Sequence, residues 1–298
     1  MTLTRLIVSM LLIVSLTSFA ENTNILVTHD WLAQQLDDPN LVILHVGTVE
    51  DYNQAHIPGA RQVHTHMDLS NPNSHTPENL ILELPEIAQL ESKLESLGIS
   101  NNSTIVIYWT GNTITDATRA LFTLDWAGLG EQSHLLDGGL DAWKRASLPT
   151  TTERSTVKLG KLTLSARPDM IVDADWIQAE ASKEGYALVD ARAQAFYDGI
   201  NNYHSVLGHI EGAGNAPWPS FFNADIKLQN TETLRDLLTN AGVKPGDTVV
   251  GYCHIGQYAT LVLMAARMLG HEVKLYDGAF QDWAARGLPG VTNLPPQE

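Results

Sequence analysis

The residue best suited to covalent chemistry in this 298-residue chain is its only cysteine, Cys253. It ends the apolar run Thr248-Val249-Val250-Gly251-Tyr252 and is followed by His254-Ile255-Gly256-Gln257-Tyr258, then by an apolar segment from Ala259 to Leu269. The pattern places a thiol where a buried-type strand stops and a helix starts. Backbone N–H groups converge in such a turn, and the helix dipole adds partial positive charge. Together they stabilise a thiolate, and equally a persulfide anion, without a cationic side chain. Gly256 supplies a backbone conformation closed to other residues. The competing reading is a buried, inert cysteine at a strand end. Polar His254 and Gln257, and the position at the carboxyl end of a strand where open α/β sheets bind ligands, favour the reactive thiol.

Other polar clusters carry less chemistry. The eleven histidines include none paired at metal-ligand spacing on a helix face or beside Cys253. His64 and His66, with His75 nearby, fall in an irregular stretch that reads as a solvated loop, and His209 reads as a turn residue. Glu83, Glu86, Glu91 and Glu95 follow a helical pattern and read as a solvated face. Trp143 and Trp283 read as domain-core aromatics. No metal site is expected from these spacings.

The elements that position Cys253 recur in both halves of the chain. Leu136-Asp137-Gly138-Gly139, Trp143 and Leu148-Pro149 answer Tyr276-Asp277-Gly278-Ala279, Trp283 and Leu288-Pro289 at one constant offset, which Leu129-Gly130 and Leu269-Gly270 share. His56-Ile57-Pro58-Gly59-Ala60 answers His209-Ile210-Glu211-Gly212-Ala213, and Asp30-Trp31-Leu32 answers Asp175-Trp176-Ile177. So many matches in one order imply a tandem duplication. In the second half, helices are expected over 174–183, capped by Asp173 or Asp175, over 231–240, closed by Gly242, and over 259–269, closed by Gly270. Strands are expected at 187–190, 248–252 and 273–275, followed by a small helix carrying Trp283. Short strands alternating with helices imply a parallel α/β sheet covered on both faces in each half.

Residues 1–20 have one early cation, Arg5, an apolar run, and small residues Ser18 and Ala20 before Glu21. That is the pattern of a secretory signal, with export, to a periplasm in the first instance, as its consequence. No second long apolar run follows, so no membrane association is expected after cleavage. The boundaries are then a signal at 1–20, a first domain at 21–150, a Thr-rich linker at 151–161 and a second domain at 162–298. The formal net charge of -16 argues against nucleic acid or an anionic membrane surface as partner. Exported chains of this size often carry disulfides, and a single thiol cannot form one internally.

The whole mature chain resembles the tandem rhodanese sulfurtransferases, a family that includes thiosulfate and 3-mercaptopyruvate sulfurtransferases. The residues that carry the resemblance are Asp190-Ala191-Arg192 ending a strand, the Gly208–Ala213 turn, the Cys253–Tyr258 loop, and Tyr276-Asp277-Gly278 with Trp283. It implies an α/β fold of two rhodanese-like domains, each a parallel sheet flanked by helices, with the cysteine in the second. Tyr108-Trp109 aligns with Tyr252-Cys253, and His45 and Gly47 with Asp190 and Arg192, so the first domain is expected to be an inactive wall and packing partner.

The resemblance further implies a two-step exchange that requires no metal or organic cofactor: Cys253 takes a sulfane sulfur from a small donor, and cyanide, a thiol or a protein acceptor removes it. Asp190 and Arg192 are expected to be structural, with Arg192 bonding around the active loop. The chain departs from the family pattern at His254 and Ile255, where thiosulfate-type enzymes carry cations, at Phe196, where a second arginine falls, and at Tyr258. The alternative reading is therefore a rhodanese-like carrier or sensing module without efficient turnover. Phosphatases of this fold need a Cys-x5-Arg loop, and Ala259 occupies the position that would have to complete it.

Overall fold

The computed structural model describes residues 23–74 and 79–295. The signal segment 1–20 and His75 lie outside the described residues. Among the described residues, ten strands form two sheets of five. The first contains β1 (Leu26–Val27), β2 (Leu41–Val46), β3 (Arg61–Val63), β4 (Thr104–Trp109) and β5 (Ser133–Leu136). The second contains β6 (Ile171–Val172), β7 (Tyr186–Asp190), β8 (Gly214–Asn215), β9 (Thr248–Tyr252) and β10 (Val273–Tyr276). The orders β1-β5-β4-β2-β3 and β6-β10-β9-β7-β8 are the same topology, and every pair is parallel.

The repeat is visible at the level of single bonds. The Trp143 indole donates to the Pro149 carbonyl and that of Trp283 to Pro289, each at 2.8 Å. His56 stacks on Tyr52 and His209 on Tyr197, with the histidine Nδ1 bonded to the same tyrosine's carbonyl in each case. His209 also bridges antiparallel to Val291, just ahead of the turn at Glu211-Gly212. Thr28 and Asp173 cap equivalent helices through the N–H groups of Trp31 and Trp176.

In the second half, the expected helices occupy Ala174–Glu180, Thr231–Asn240, Tyr258–Met268 and Ala279–Ala285, close to the expected spans, and a further short helix covers Gln194–Tyr197. Helices Ile114–Leu124 and Tyr258–Met268 pack against each other between the sheets. Each is buried almost all round, and the first carries Thr115, Thr118, Arg119 and Thr123 into the interior with its apolar residues. Residues from both sheets join one continuous apolar core across this contact.

Two surface expectations change. Only Glu91 and Glu95 of the acidic cluster lie in a helix, Ile87–Ser96, and their carboxylates accept the backbone N–H groups of Leu164 and Leu162 at 2.9 Å each. Their face is covered by the interdomain segment rather than solvated. That segment carries no helix or strand from 152 to 167 and stays bonded to the first domain as far as Arg167, whose N–H reaches the Trp126 carbonyl.

Candidate active site

β9 delivers Cys253 to the carboxyl end of the second sheet, and Gly256 turns the chain into helix Tyr258–Met268 with φ +77°. A side chain at Gly256 would be strained by that φ, and its Cβ would stand 2.9 Å from the Asp277 carbonyl oxygen. The turn aims the backbone N–H groups of Ala259, Ile255 and Tyr258 at the Cys253 sulfur, as the sequence pattern implies.

The net charge balance differs from the expectation. Cys253 is 0% exposed, and burial pushes its thiol above the ordinary value, outweighing the N–H donors, with the Asp190 charge adding to the rise. The cradle reduces the cost of charging a buried sulfur without making the resting thiol acidic. Alkylation by iodoacetamide, followed by intact mass against pH, is therefore expected to show a midpoint above that of a free cysteine, about 8.5. A midpoint below that value would mean that the N–H donors dominate.

Asp190 and Arg192 stand beside the loop because β7 pairs with β9, Asp190 lying opposite Tyr252. Both side chains are buried. The Arg192 Nε lies 3.0 Å from both carboxylate oxygens of Asp190, and its second nitrogen is 2.6 Å from Oδ2 and 2.7 Å from the Gly208 carbonyl. The guanidinium also covers the Phe280 ring at 3.9 Å. The Arg192 hydrogen bonds anchor the 208–213 turn; among the described residues they go to Asp190 and Gly208 and not to the Cys253–Tyr258 loop, where the resemblance had placed them. In the first domain the His45 imidazole replaces Asp190, bonding the Tyr108 hydroxyl at 2.9 Å, and burial holds it down to about 4. Trp109 fills the position of the thiol and is itself buried.

His254 is neither a cation nor an exposed loop residue. Burial, then the Arg192 charge and His204, push it down to about 3, so it is neutral. Its ring packs against Phe196 at 4.6 Å, Tyr203 at 4.9 Å and His204 at 5.6 Å. Tyr258 stacks on Trp218 at 4.8 Å, and Ile255 is partly exposed.

The first domain does more than wall off the loop. Arg119, fully buried on helix Ile114–Leu124, donates to the Gly256 carbonyl at 3.1 Å and to Asp277 Oδ1 and the Leu82 carbonyl at 2.7 Å each. The other Asp277 oxygen accepts the Leu84 N–H at 2.9 Å. The segment after Asp277 in turn holds the active loop, through Phe280 N–H to the Cys253 carbonyl and Gln281 N–H to that of His254. Gln257 donates to the Thr115 hydroxyl at 3.1 Å, and its Oε1 lies 2.9 Å from His66 Nε2. His66 sits in a short helix, Thr65–Asp68, and reaches the active loop, which corrects the solvated-loop reading. Arg119, Thr115 and His66 carry no local signal, because their partners lie far away in sequence.

Comparison with known proteins agrees with this geometry. The Rhodanese-like domain model matches residues 28–146 and 173–286. A probable 3-mercaptopyruvate sulfurtransferase of Pseudomonas aeruginosa is 33% identical over 87% of this chain and 94% of its own length. The sulfur carrier protein TtuD of Thermus thermophilus is 32% identical over 90% of this chain and 95% of its own. Among solved structures, the 3-mercaptopyruvate sulfotransferase SseA from Escherichia coli superposes with a TM-score of 0.76 at 28% identity, covering 86% of this chain and 99% of that one.

Proposed function

The chain belongs to the rhodanese-like domain family, and from that premise we propose that it moves a sulfane sulfur from a small donor, of the thiosulfate or 3-mercaptopyruvate type, to a nucleophilic acceptor through a persulfide on Cys253. The observation that carries this reading is the set of backbone N–H groups, from Ala259, Ile255 and Tyr258, aimed at a sulfur at the end of β9. The Cys253 thiolate attacks the donor's transferable sulfur. A sulfur–sulfur bond forms as the donor's own bond to that sulfur breaks, and the departing group, sulfite or pyruvate enolate, keeps the electron pair; the enolate then takes a proton. Cyanide or a thiolate next attacks the outer sulfur of the persulfide, and the Cys253 thiolate leaves. Every charge change at Cys253 takes place inside the same ring of N–H donors.

A carrier that loads sulfur and hands it to a protein acceptor is the second reading. It is favoured by the lack of any Lys or Arg in the Cys253–Tyr258 loop and by the similarity to a sulfur carrier. Export by residues 1–20 is part of the proposal. Protein recovered from an osmotic-shock fraction, with Glu21 as its first residue, is expected to gain one sulfur atom with a competent donor and to lose it to cyanide, by intact mass. Repeated turnover identifies the enzyme; one loading followed by slow release identifies the carrier. No gain with either donor would sink both readings.

A further inference from the structure

We propose that the first domain carries a second binding site, a cleft between Arg61 and Arg154 that takes a carboxylate attached to a hydrocarbon group. It lies along β3, the edge strand of the first sheet, and does not depend on the sulfurtransferase reading.

The starting observation is an unbalanced charge. Arg61 is half-buried, and burial pushes its guanidinium below the ordinary arginine value with no carboxylate to offset the cost. Its Nη1 donates to the Leu97 carbonyl at the C-terminal end of helix Ile87–Ser96, where the helix dipole favours a cation. That contact uses one arm of the fork. Nε is a buried donor without a partner, and Nη2 makes no hydrogen bond among the described residues. Arg154 is exposed, and neither arginine has an ion-pair partner among the described residues. Asp51, close by in the chain, is occupied by the hydroxyls of Thr48 and Thr110. Proteins seldom bury a cation even partly without pairing it.

The internal repeat marks the cleft as an addition of the first domain. Since Ala60 answers Ala213, Arg61 answers Gly214, and the two stand opposite Leu44 and Val189 in equivalent strand pairs. In the second domain β8 runs so close to a helix end that a Cβ at Gly214 would lie 1.9 Å from the Ala241 carbonyl oxygen. Ala241 caps helix Thr231–Asn240 as Leu97 caps Ile87–Ser96. In the first domain the same junction is open enough for a guanidinium to reach the Leu97 carbonyl. Beside it lies a cavity of about 400 Å³, lined by both arginines and by no acidic side chain. Tyr52, Leu97, Val49 and Val157 supply apolar wall, and the two valines are left 47% and 36% exposed. Cations and uncovered hydrocarbon in one cleft, in a chain of net charge -16, suit an anion with an apolar body. The planar guanidinium fork matches a carboxylate, and the apolar wall penalises a strongly hydrated oxyanion such as phosphate.

A free hydrophobic acid and the C-terminus of a polypeptide ending in an apolar residue share this chemistry, and the test separates them. The full chain is titrated by NMR with isocaproate, with a short peptide ending in leucine, with the amide of each, and with inorganic phosphate. Saturable shifts at Arg61, Leu97 and Val157 are expected with the two carboxylates and not with their amides. Arg154→Gln should raise Kd by about tenfold, the worth of one hydrogen bond between charged groups. Arg61→Gln should raise it by at least as much. Val157→Asp sets a carboxylate in the apolar wall and should abolish binding. Arg154 and Val157 lie at the surface, so their variants decide the matter if Arg61→Gln does not fold. A peptide bound at least about tenfold more tightly than isocaproate assigns the cleft to chain termini, and comparable affinities assign it to free acids. No saturable shift with either carboxylate, equal binding of the amides, phosphate bound as tightly as isocaproate, or an unchanged Kd in Arg154→Gln would overturn the assignment. None of these readouts involves Cys253, so the sulfurtransferase reading stands or falls separately.

Discussion

Cys253→Ser is expected to abolish sulfur transfer, with turnover falling by at least about a thousandfold, while the fold survives. The serine oxygen fills nearly the same volume and can accept the same backbone N–H groups, so no cavity and no orphaned donor is created. A stability change within about 1 kcal/mol follows. What is lost is the chemistry: the hydroxyl is far less ionised and less nucleophilic than a thiol, and it cannot form the sulfur–sulfur bond that stores the transferred atom. The first domain offers no substitute, since Trp109 occupies the equivalent place. Thiocyanate formation and a thermal melt on the same preparation separate the two effects. Turnover above about a tenth of wild type would show that the covalent intermediate lies elsewhere.

Arg192→Ala is the substitution expected to damage stability most. It leaves the Asp190 carboxylate, 0% exposed, without its cation, frees the Gly208 carbonyl and uncovers the Phe280 ring. Removing one partner of a buried ion pair costs about 3–5 kcal/mol, which for domains of this size corresponds to a fall in Tm on the order of 10 °C. Arg192→Lys should recover little, because an ammonium cannot reproduce the two-pronged bond to Asp190. Adding Asp190→Asn to Arg192→Ala should restore part of the loss, since it removes the uncompensated charge rather than the shape. Urea unfolding of the single and double variants measures this coupling. A single variant within about 1 kcal/mol of wild type would mean that water or a rearranged side chain replaces the guanidinium.

What could be read along the chain and what could not divide by the reach of the interactions. The end of β9, the turn at Gly256, the Asp173 cap and the matched elements of the two halves all follow from apolar runs, glycine placement and the internal repeat, which act over a few residues or a fixed offset. The hold of Arg119 on Gly256 joins residues 137 positions apart, and that of His66 on Gln257 joins residues 191 apart. Nothing in the neighbourhood of either residue announces such a partner. Glu91 and Glu95 show the same limit, because a helix face that looks solvated by its charge can be roofed by a later segment. The direction of the Cys253 shift was hidden for a related reason: N–H donors follow from the local turn, whereas burial depends on everything packed above it.

The bonds from Arg119 to Gly256 and Asp277 bear on how such a chain can change over generations. A duplicated copy that has lost its reactive residue is ordinarily a spare, free to drift or to disappear. Here the copy without a cysteine supplies His66, Thr115 and Arg119 to the Cys253 loop of its twin. Selection on the Cys253 loop therefore reaches into the half that carries no thiol, and the two halves are inherited as a single unit.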